Sequence, residues 1–138
     1  MRKQLVVDPS RCTGCQSCQI ACSARWVDGY NPRWGRLRVE DGPSPWSVSV
    51  TVCHQCSNAF CAKVCPAGAI VRDDATGALR IDVERCSGCA LCAEFCPWHL
   101  IEVVPDRRVA VKCDLCGGME PECVRFCSTR ALALVEVI

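Results

Sequence analysis

The stretch Cys86-Ser-Gly-Cys89-Ala-Leu-Cys92-Ala-Glu-Phe-Cys96-Pro97 decides how the rest of this sequence is interpreted. Its spacing, C-x2-C-x2-C-x3-C-P, is one by which protein thiolates hold [4Fe–4S] clusters. The first three thiolates bind one cluster, whereas the fourth binds a neighbouring cluster. One run of this kind therefore predicts a second run elsewhere in the chain that returns a cysteine to the first cluster.

The sequence contains three further groups of this kind, so that all 16 cysteines of the 138-residue chain fall into four quartets. The first quartet, Cys12–Cys22, has the same regular spacing as the third, Cys86–Cys96. The second, Cys53–Cys65, has four residues between its second and third cysteines, and the fourth, Cys113–Cys127, has six. The chain is thus an internal repeat, and a repeat has to be recognised before any other interpretation of the fold.

The composition restricts where such a chain can work and what it can bind. A cysteine content this high indicates disulfides in a secreted chain or metal sites in a reducing compartment. The N-terminal residues contain neither an apolar signal core nor a twin-arginine motif, and no apolar run approaches the roughly 18 residues of a membrane span. The net charge of +1 gives no reason to expect nucleic acid. We therefore expect a cytoplasmic metalloprotein without a membrane span or a nucleic-acid partner.

Iron–sulfur clusters explain the cysteine pattern better than zinc or disulfides. Soft thiolates suit iron–sulfur clusters, whereas zinc sites more often show two C-x2-C pairs that lie a dozen or more residues apart. A zinc-binding interaction module and a disulfide scaffold stay as alternatives. The predicted metal ligands are Cys12, Cys15, Cys18, Cys22, Cys53, Cys56, Cys61, Cys65, Cys86, Cys89, Cys92, Cys96, Cys113, Cys116, Cys123 and Cys127.

The residues between the quartets predict short strands and helices. Cys18 and Cys22 lie four residues apart, so a helical turn would place them on one face. Residues 3–8 and 131–137 form apolar segments that we expect to pair as strands. Alternating apolar residues around turn signals predict β-hairpins in three places: residues 37–52, 68–83 and 100–112. The predicted fold class is α+β, with two nested ferredoxin-like dicluster modules built from short helices and β-hairpins.

The pairing of the quartets follows from the rule that each run lends its last cysteine to a partner. One short hairpin joins the second and third quartets, so these two should pair, and the first then pairs with the fourth. Residues 53–104 would form an inner module, and residues 1–52 with 105–138 an outer one. A consecutive pairing, first with second and third with fourth, stays open. The nested pairing predicts the ligand sets Cys12, Cys15, Cys18 and Cys127 (cluster 1); Cys113, Cys116, Cys123 and Cys22 (cluster 2); Cys53, Cys56, Cys61 and Cys96 (cluster 3); and Cys86, Cys89, Cys92 and Cys65 (cluster 4).

The order of two regular and two widened quartets resembles the four-cluster iron–sulfur subunits of the dimethyl sulfoxide reductase and formate dehydrogenase type, over nearly the whole chain. Within that superfamily, three segments are similar to the small electron-transfer subunits of tungsten aldehyde oxidoreductases and tungsten benzoyl-CoA reductases. These segments are C-T-G-C…A-C-S over residues 12–23, N-P-x-x-x-R-L-R-V over 31–39 and K-C-D-L-C-G-G-x-x-P-x-C-V over 112–124. Two residues depart from the family pattern without removing a ligand, Ser128 in place of proline and His99 in place of glycine.

The resemblance implies an electron-transfer subunit with four [4Fe–4S] clusters. All four quartets are complete, so no iron is left open for a substrate, and we expect no catalytic site in this chain. The implied partner is a large catalytic oxidoreductase subunit with a tungsten pterin, and a molybdenum bis-pterin enzyme or a hydrogenase is the alternative. A further electron-accepting subunit or a ferredoxin would be the other redox partner, and self-association stays open.

Overall fold

The structure is a computed structural model that describes residues 2–137. It contains short strands and helices that alternate along the chain, with two additional 3-10 turns at Pro32–Trp34 and Leu115–Gly118. The helices are α1 (Ser17–Ser23), α2 (Phe60–Val64), α3 (Leu91–Phe95) and α4 (Glu122–Arg125). The strands are β1 (Arg2–Val7), β2 (Arg38–Asp41), β3 (Val48–Thr51), β4 (Ile70–Arg72), β5 (Leu79–Ile81), β6 (Glu102–Val104), β7 (Val109–Val111) and β8 (Leu132–Val137).

The strands form four separate two-stranded antiparallel sheets. Three of these are the hairpins β2–β3, β4–β5 and β6–β7, and each connects two consecutive cysteine quartets. The fourth sheet joins the two ends of the chain, because β1 pairs with β8 from Arg2 opposite Val137 to Val7 opposite Leu132. The predicted hairpins and the predicted pairing of the terminal segments are therefore confirmed.

Each α-helix carries the third cysteine of its quartet and stops near the fourth. In α2 and α3 the cause of the stop is local, because Cys65 and Cys96 each precede a proline and adopt extended backbone angles at the helix C-terminus. A residue before proline is sterically driven out of the helical region. The predicted helical turn around Cys18 and Cys22 is also confirmed, as both lie within α1. Short helices and antiparallel hairpins together confirm the α+β class.

The apolar side chains form two hydrophobic clusters, which we call the terminal core and the central core. The terminal core takes its buried residues largely from the two ends of the chain, and these include Leu5, Leu37 and Leu132. The central core takes its residues from positions 59–110, including Ile70 and Ile101. In agreement with this division, α1 packs against α4 and α2 packs against α3. Among residues 2–137, no helix is long and apolar enough to cross a bilayer.

Candidate iron–sulfur sites

Three cavities are each lined by four cysteines, three from one quartet and one from another. The remaining lining is mainly apolar, for example Val39 and Leu132 in the first cavity and Ile70 and Ile81 in the third. The cysteine sets are Cys12, Cys15, Cys18 and Cys127 in the first cavity, Cys53, Cys56, Cys61 and Cys96 in the second, and Cys86, Cys89, Cys92 and Cys65 in the third.

The other four cysteines lie near one another where α1 meets α4, with Cys22, Cys113 and Cys116 around Cys123. Cys22, Cys113 and Cys123 belong to or pack against the terminal core. Burial raises the pKa of the Cys123 thiol, and the nearby charges of Cys113, Cys22 and Cys116 raise it further. The structure thus brings together the cysteines of all four sets deduced from the sequence. Which thiols bind which cluster stays a prediction.

All four quartets share one unusual backbone feature, a residue with a positive φ just before the second cysteine. Glycine occupies this position in the two regular quartets, at Gly14 (φ 76°) and Gly88 (φ 75°). The widened quartets place Gln55 (φ 46°) and Leu115 (φ 55°) there, although side chains rarely adopt this conformation. A Cβ on Gly88 would also collide with the carbonyl oxygen of Arg108. The shared turn curls each loop around its cysteines.

Backbone amides donate hydrogen bonds to several cysteine sulfurs. Such donors stabilise a thiolate, and around a bound cluster they also tune its reduction potential. The last cysteine of three quartets accepts one of these bonds from a residue downstream. These three bonds are Arg36 N to Cys22 Sγ at 3.2 Å, Ala69 N to Cys65 Sγ at 3.3 Å and Ala131 N to Cys127 Sγ at 3.2 Å. A fourth bond, from Ala110 N at 3.4 Å, goes to the sulfur of Cys86, the first cysteine of the third quartet.

Burial and hydrogen bonding push the thiol pKa values in opposite directions. Burial raises the pKa of Cys18 and of Cys92 to about 11 in each case. At Cys15 a hydrogen bond to the Ser17 hydroxyl lowers the pKa. Burial by itself would raise the pKa of Cys127. Hydrogen bonds, including the one from the Ala131 amide, outweigh burial, so that the pKa of this thiol is lowered. Metal ligation requires thiolates, so cluster binding has to displace protons from the buried thiols.

Four thiols, apolar walls and amide donors aimed at sulfur form a donor set that fits a [4Fe–4S] cluster. Within residues 2–137, no three His, Cys, Asp or Glu side chains converge closely enough to hold a single metal ion.

Two buried polar side chains, Lys112 and Gln55, lie beside the second cavity, and no sequence pattern indicated them. Lys112 is 2% exposed and Gln55 is fully buried. The Lys112 Nζ atom donates to the Gln55 side-chain oxygen at 3.3 Å and to the carbonyl oxygens of Leu79 and Cys113 at 2.7 and 2.6 Å. Gln55 in turn donates to the Cys113 carbonyl oxygen at 2.9 Å. These two side chains therefore connect the loop of the second quartet to the start of the fourth.

A second buried cation, Arg36, joins the segment after α1 to the chain around β6. Its guanidinium is fully buried and lies 3.3 Å from the carboxylate of Glu102. It also donates to the Leu100 carbonyl oxygen at 3.3 Å and to the Trp34 carbonyl oxygen at 3.0 Å. Arg36 belongs to the N-P-x-x-x-R-L-R-V segment, but two of its partners lie more than 60 residues away in sequence, at a separation of 64 for Leu100 and 66 for Glu102. No local pattern could have revealed them.

Three aromatic side chains lie close to cysteines. The Trp26 indole nitrogen is buried and has no hydrogen-bond partner of good geometry among the described residues. Burial raises the pKa of Cys22, and both the Arg36 amide and the Trp26 indole N–H oppose this rise. The indole N–H is thus an unsatisfied donor beside a candidate cluster ligand. In the second cavity, the rings of His54 and Trp98 stack with their centroids 4.1 Å apart.

Known proteins and solved structures show a consistent similarity to this chain. HydN of Escherichia coli, named an electron transport protein, is 34% identical, with 99% of this chain and 89% of HydN covered. The polyferredoxin-like subunit of an aliphatic sulfonate oxidoreductase from Pyrococcus furiosus is 33% identical, with coverage of 89% and 70% respectively. The BamBC active-site complex of benzoyl coenzyme A reductase, solved with 1,5-dienoyl-CoA, contains a chain of similar fold, with a TM-score of 0.55, 25% identity and coverage of 99% of this chain and 78% of that one.

Family profiles cover all four quartets. A 4Fe–4S binding domain profile matches residues 9–25, which contain the first quartet. The 4Fe–4S dicluster domain profile matches residues 44–137, which contain the other three quartets and most of the chain. The chain therefore belongs to the 4Fe–4S dicluster family of ferredoxin-like electron-transport subunits.

Proposed function

We propose that this chain is a non-catalytic electron-transfer subunit with four [4Fe–4S] clusters in two nested dicluster modules. The observation that carries the proposal is the composition of the three cavities, since each combines three cysteines of one quartet with the last cysteine of another. Under this proposal, residues 53–104 form the inner module, and residues 1–52 and 105–138 form the outer one. The pairing of β1 with β8 and the packing of α1 on α4 support the outer module.

When bound, the clusters supply one-electron redox centres, and the protein supplies their ligands and surroundings. Cysteines would bind the iron in the sets described above, and the amides of Arg36, Ala69, Ala110 and Ala131 would donate to ligand sulfurs. The two cores exclude water from one side of each site. With four thiolates per cluster no iron is left open for a substrate, so the arrangement suits electron transfer rather than catalysis.

The proposed partner is a large catalytic oxidoreductase subunit. A tungsten enzyme of the aldehyde oxidoreductase type is favoured by the sequence resemblance and by the similar fold in the benzoyl coenzyme A reductase complex. A molybdenum bis-pterin enzyme or a hydrogenase is the alternative partner, and a ferredoxin or a further subunit would exchange electrons at the other end. The proposed location is the cytoplasm, where a reducing environment would keep the 16 cysteines from forming disulfides and so available to bind clusters.

Anaerobic isolation from the native cell, with metal analysis and mass spectrometry of every retained chain, tests this proposal. We expect about 16 iron atoms per chain, since four cubanes hold four irons each, together with a large subunit that contains tungsten. Molybdenum in that subunit would favour the alternative partner. Zinc in this chain would overturn the electron-transfer function in favour of an interaction module, provided that the protein shows no visible charge-transfer absorption and no redox-active centre in a titration.

Cysteine variants test the ligand sets separately from the function. In the nested arrangement, Cys65→Ser removes a ligand from the cluster of the third quartet, and Cys96→Ser removes one from the cluster of the second. In the consecutive arrangement, Cys65 would instead serve the first quartet. Combining Cys65→Ser with Cys89→Ser should therefore lose no more iron than either single variant. Additive losses of two clusters would contradict the nested pairing.

A further inference from the structure

The Lys112 side chain occupies the boundary between two of the candidate cluster sites. It lines the second cavity together with Cys53, Cys56, Cys61 and Cys96. It also directly precedes Cys113, the first cysteine of the fourth quartet, and its ammonium group donates to the carbonyl oxygen of that residue at 2.6 Å. No other lysine in the described residues is buried to this degree.

The hydrogen bonds of Lys112 identify its side chain as a charged ammonium group. An ammonium has three N–H donors and no acceptor. The three partners of Nζ are all acceptors, namely the Leu79 carbonyl oxygen, the Cys113 carbonyl oxygen and the Gln55 side-chain oxygen. The Leu79 amide donates to that same Gln55 oxygen at 2.8 Å, which fixes the amide orientation of Gln55.

A buried charge is very costly unless an opposite charge compensates it. Among residues 2–137, no carboxylate lies within ion-pair distance of Lys112. The anionic groups that this site can offer are the cysteine thiolates of the second cavity and of Cys113. The charge of Lys112 already acts on Cys61, where burial raises the thiol pKa and the ammonium opposes the rise.

We infer that Lys112 is the cation that sets the reduction potential of the cluster bound by Cys53, Cys56, Cys61 and Cys96, at the junction between the inner and the outer module. This inference rests on the proposed function, because it requires clusters at these cysteines. Reduction adds one electron, and therefore one negative charge, to a site that is already anionic. A fixed positive charge beside it stabilises the reduced form more than the oxidised form and raises the potential.

The size of the effect follows from Coulomb's law. For unit charges about 10 Å apart in a medium with an effective dielectric constant of about 20, the interaction changes an equilibrium ratio by roughly tenfold. A tenfold change corresponds to about 59 mV for a one-electron couple. Replacing Lys112 by a neutral residue should therefore lower the reduced-to-oxidised ratio of this one cluster about tenfold at a fixed potential.

The test is a mediated redox titration of the complete chain, followed by electron paramagnetic resonance, in which the mediators supply each electron. The component missing from Cys61→Ser identifies the cluster of the second cavity. Lys112→Met should shift this component to lower potential, whereas Lys112→Arg, which keeps the charge, should restore most of the wild-type potential. Gln55→Glu offers an independent variant, because a carboxylate next to Nζ neutralises the charge without removing the lysine, and it should shift the same component downwards.

Lys63→Met is the matched control. Lys63 lies on α2, two residues from Cys61, but its side chain is exposed, so water screens its charge and its removal should leave the potential unchanged. The iron content of the wild-type chain tests the proposed function by itself. If the wild-type chain holds its clusters, an unshifted component in Lys112→Met overturns the inference, as does an equal shift in Lys63→Met. Loss of iron from both Lys112→Met and Gln55→Glu would also overturn it, because Lys112 would then be needed for folding rather than for the potential.

Discussion

Replacing Arg36 by methionine should accelerate the loss of clusters from this protein by about two orders of magnitude. Arg36 stabilises the segment that follows α1 against the chain around β6, and its own amide donates to Cys22 Sγ at 3.2 Å. Methionine retains much of the aliphatic stem but removes every side-chain donor. Opening of the segment would then expose the Cys22 sulfur to water and chelators.

The magnitude follows from the contacts that are lost. The guanidinium donates to the carbonyl oxygens of Trp34, Leu100 and Arg33 at 3.0, 3.3 and 3.1 Å, and it pairs with Glu102 at 3.3 Å. Removing one partner of a buried pair costs about 3–5 kcal/mol. Because the Glu102 side chain is still 31% exposed and can be hydrated, we take the lower end, about 3 kcal/mol. At about 1.4 kcal/mol per factor of ten, the open form becomes on the order of 100-fold more populated.

The assay is the anaerobic bleaching of the visible iron–sulfur absorption in the presence of an iron chelator. The control is Arg33→Met, because Arg33 is also paired with Glu102, at 4.0 Å, but its side chain is 60% exposed. An exposed pair contributes about 0–1 kcal/mol, so the control should bleach at most a few times faster than the wild type. Equal bleaching rates for Arg36→Met and Arg33→Met would refute the assignment of Arg36 as the stabilising contact.

Three further predictions concern the clusters themselves. Cys92→Ser should lower the iron content by one cluster and remove most electron throughput, and a variant with full iron content would contradict the ligand assignment. Trp26→Phe removes the indole donor beside Cys22 and should lower the potential of one cluster in a redox titration, with little change in iron content; an unchanged set of potentials would show that the donor does not act on the cluster. Since burial raises the pKa of Cys18 and Cys92 to about 11, protons compete with iron for these sulfurs at every pH below that value. Iron retention against a fixed chelator concentration should therefore fall as the pH is lowered from about 9 to 6, and pH-independent retention would contradict this linkage.

Much of the fold was predictable because its signals are local in sequence. The hairpins β4–β5 and β6–β7 follow from alternating apolar residues on either side of short polar turns, and the structure contains both. The ends of α2 and α3 follow from Pro66 and Pro97, whose rings restrict the residue before them. The pairing of β1 with β8 was also predicted, because the nested arrangement brings the two ends of the chain together.

The polar contacts around the sites were not predictable. No pattern in the sequence brings His54 next to Trp98, yet their rings stack at the second cavity. The sequence around Gln55 and Lys112 shows two ordinary polar residues next to cysteines, and neither carries a periodic pattern. Their hydrogen bonds join residues that lie 57 positions apart in the chain, so that only the folded chain brings them together.

The sequence alone determined how the cysteines group into four quartets. The short loops between neighbouring cysteines limit which sulfurs can reach the same cluster, and the loop lengths are visible in the sequence. It also determined that the chain is built from hairpins and short helices, since these depend on neighbouring residues. The sequence also predicted the nested pairing but left a consecutive one open. The tertiary structure shows which last cysteine lines which of the three cavities and which charges are buried near the sulfurs. Those outcomes depend on how distant segments pack, and packing places Lys112 and Arg36 in water-excluded positions where a single charge has its largest effect.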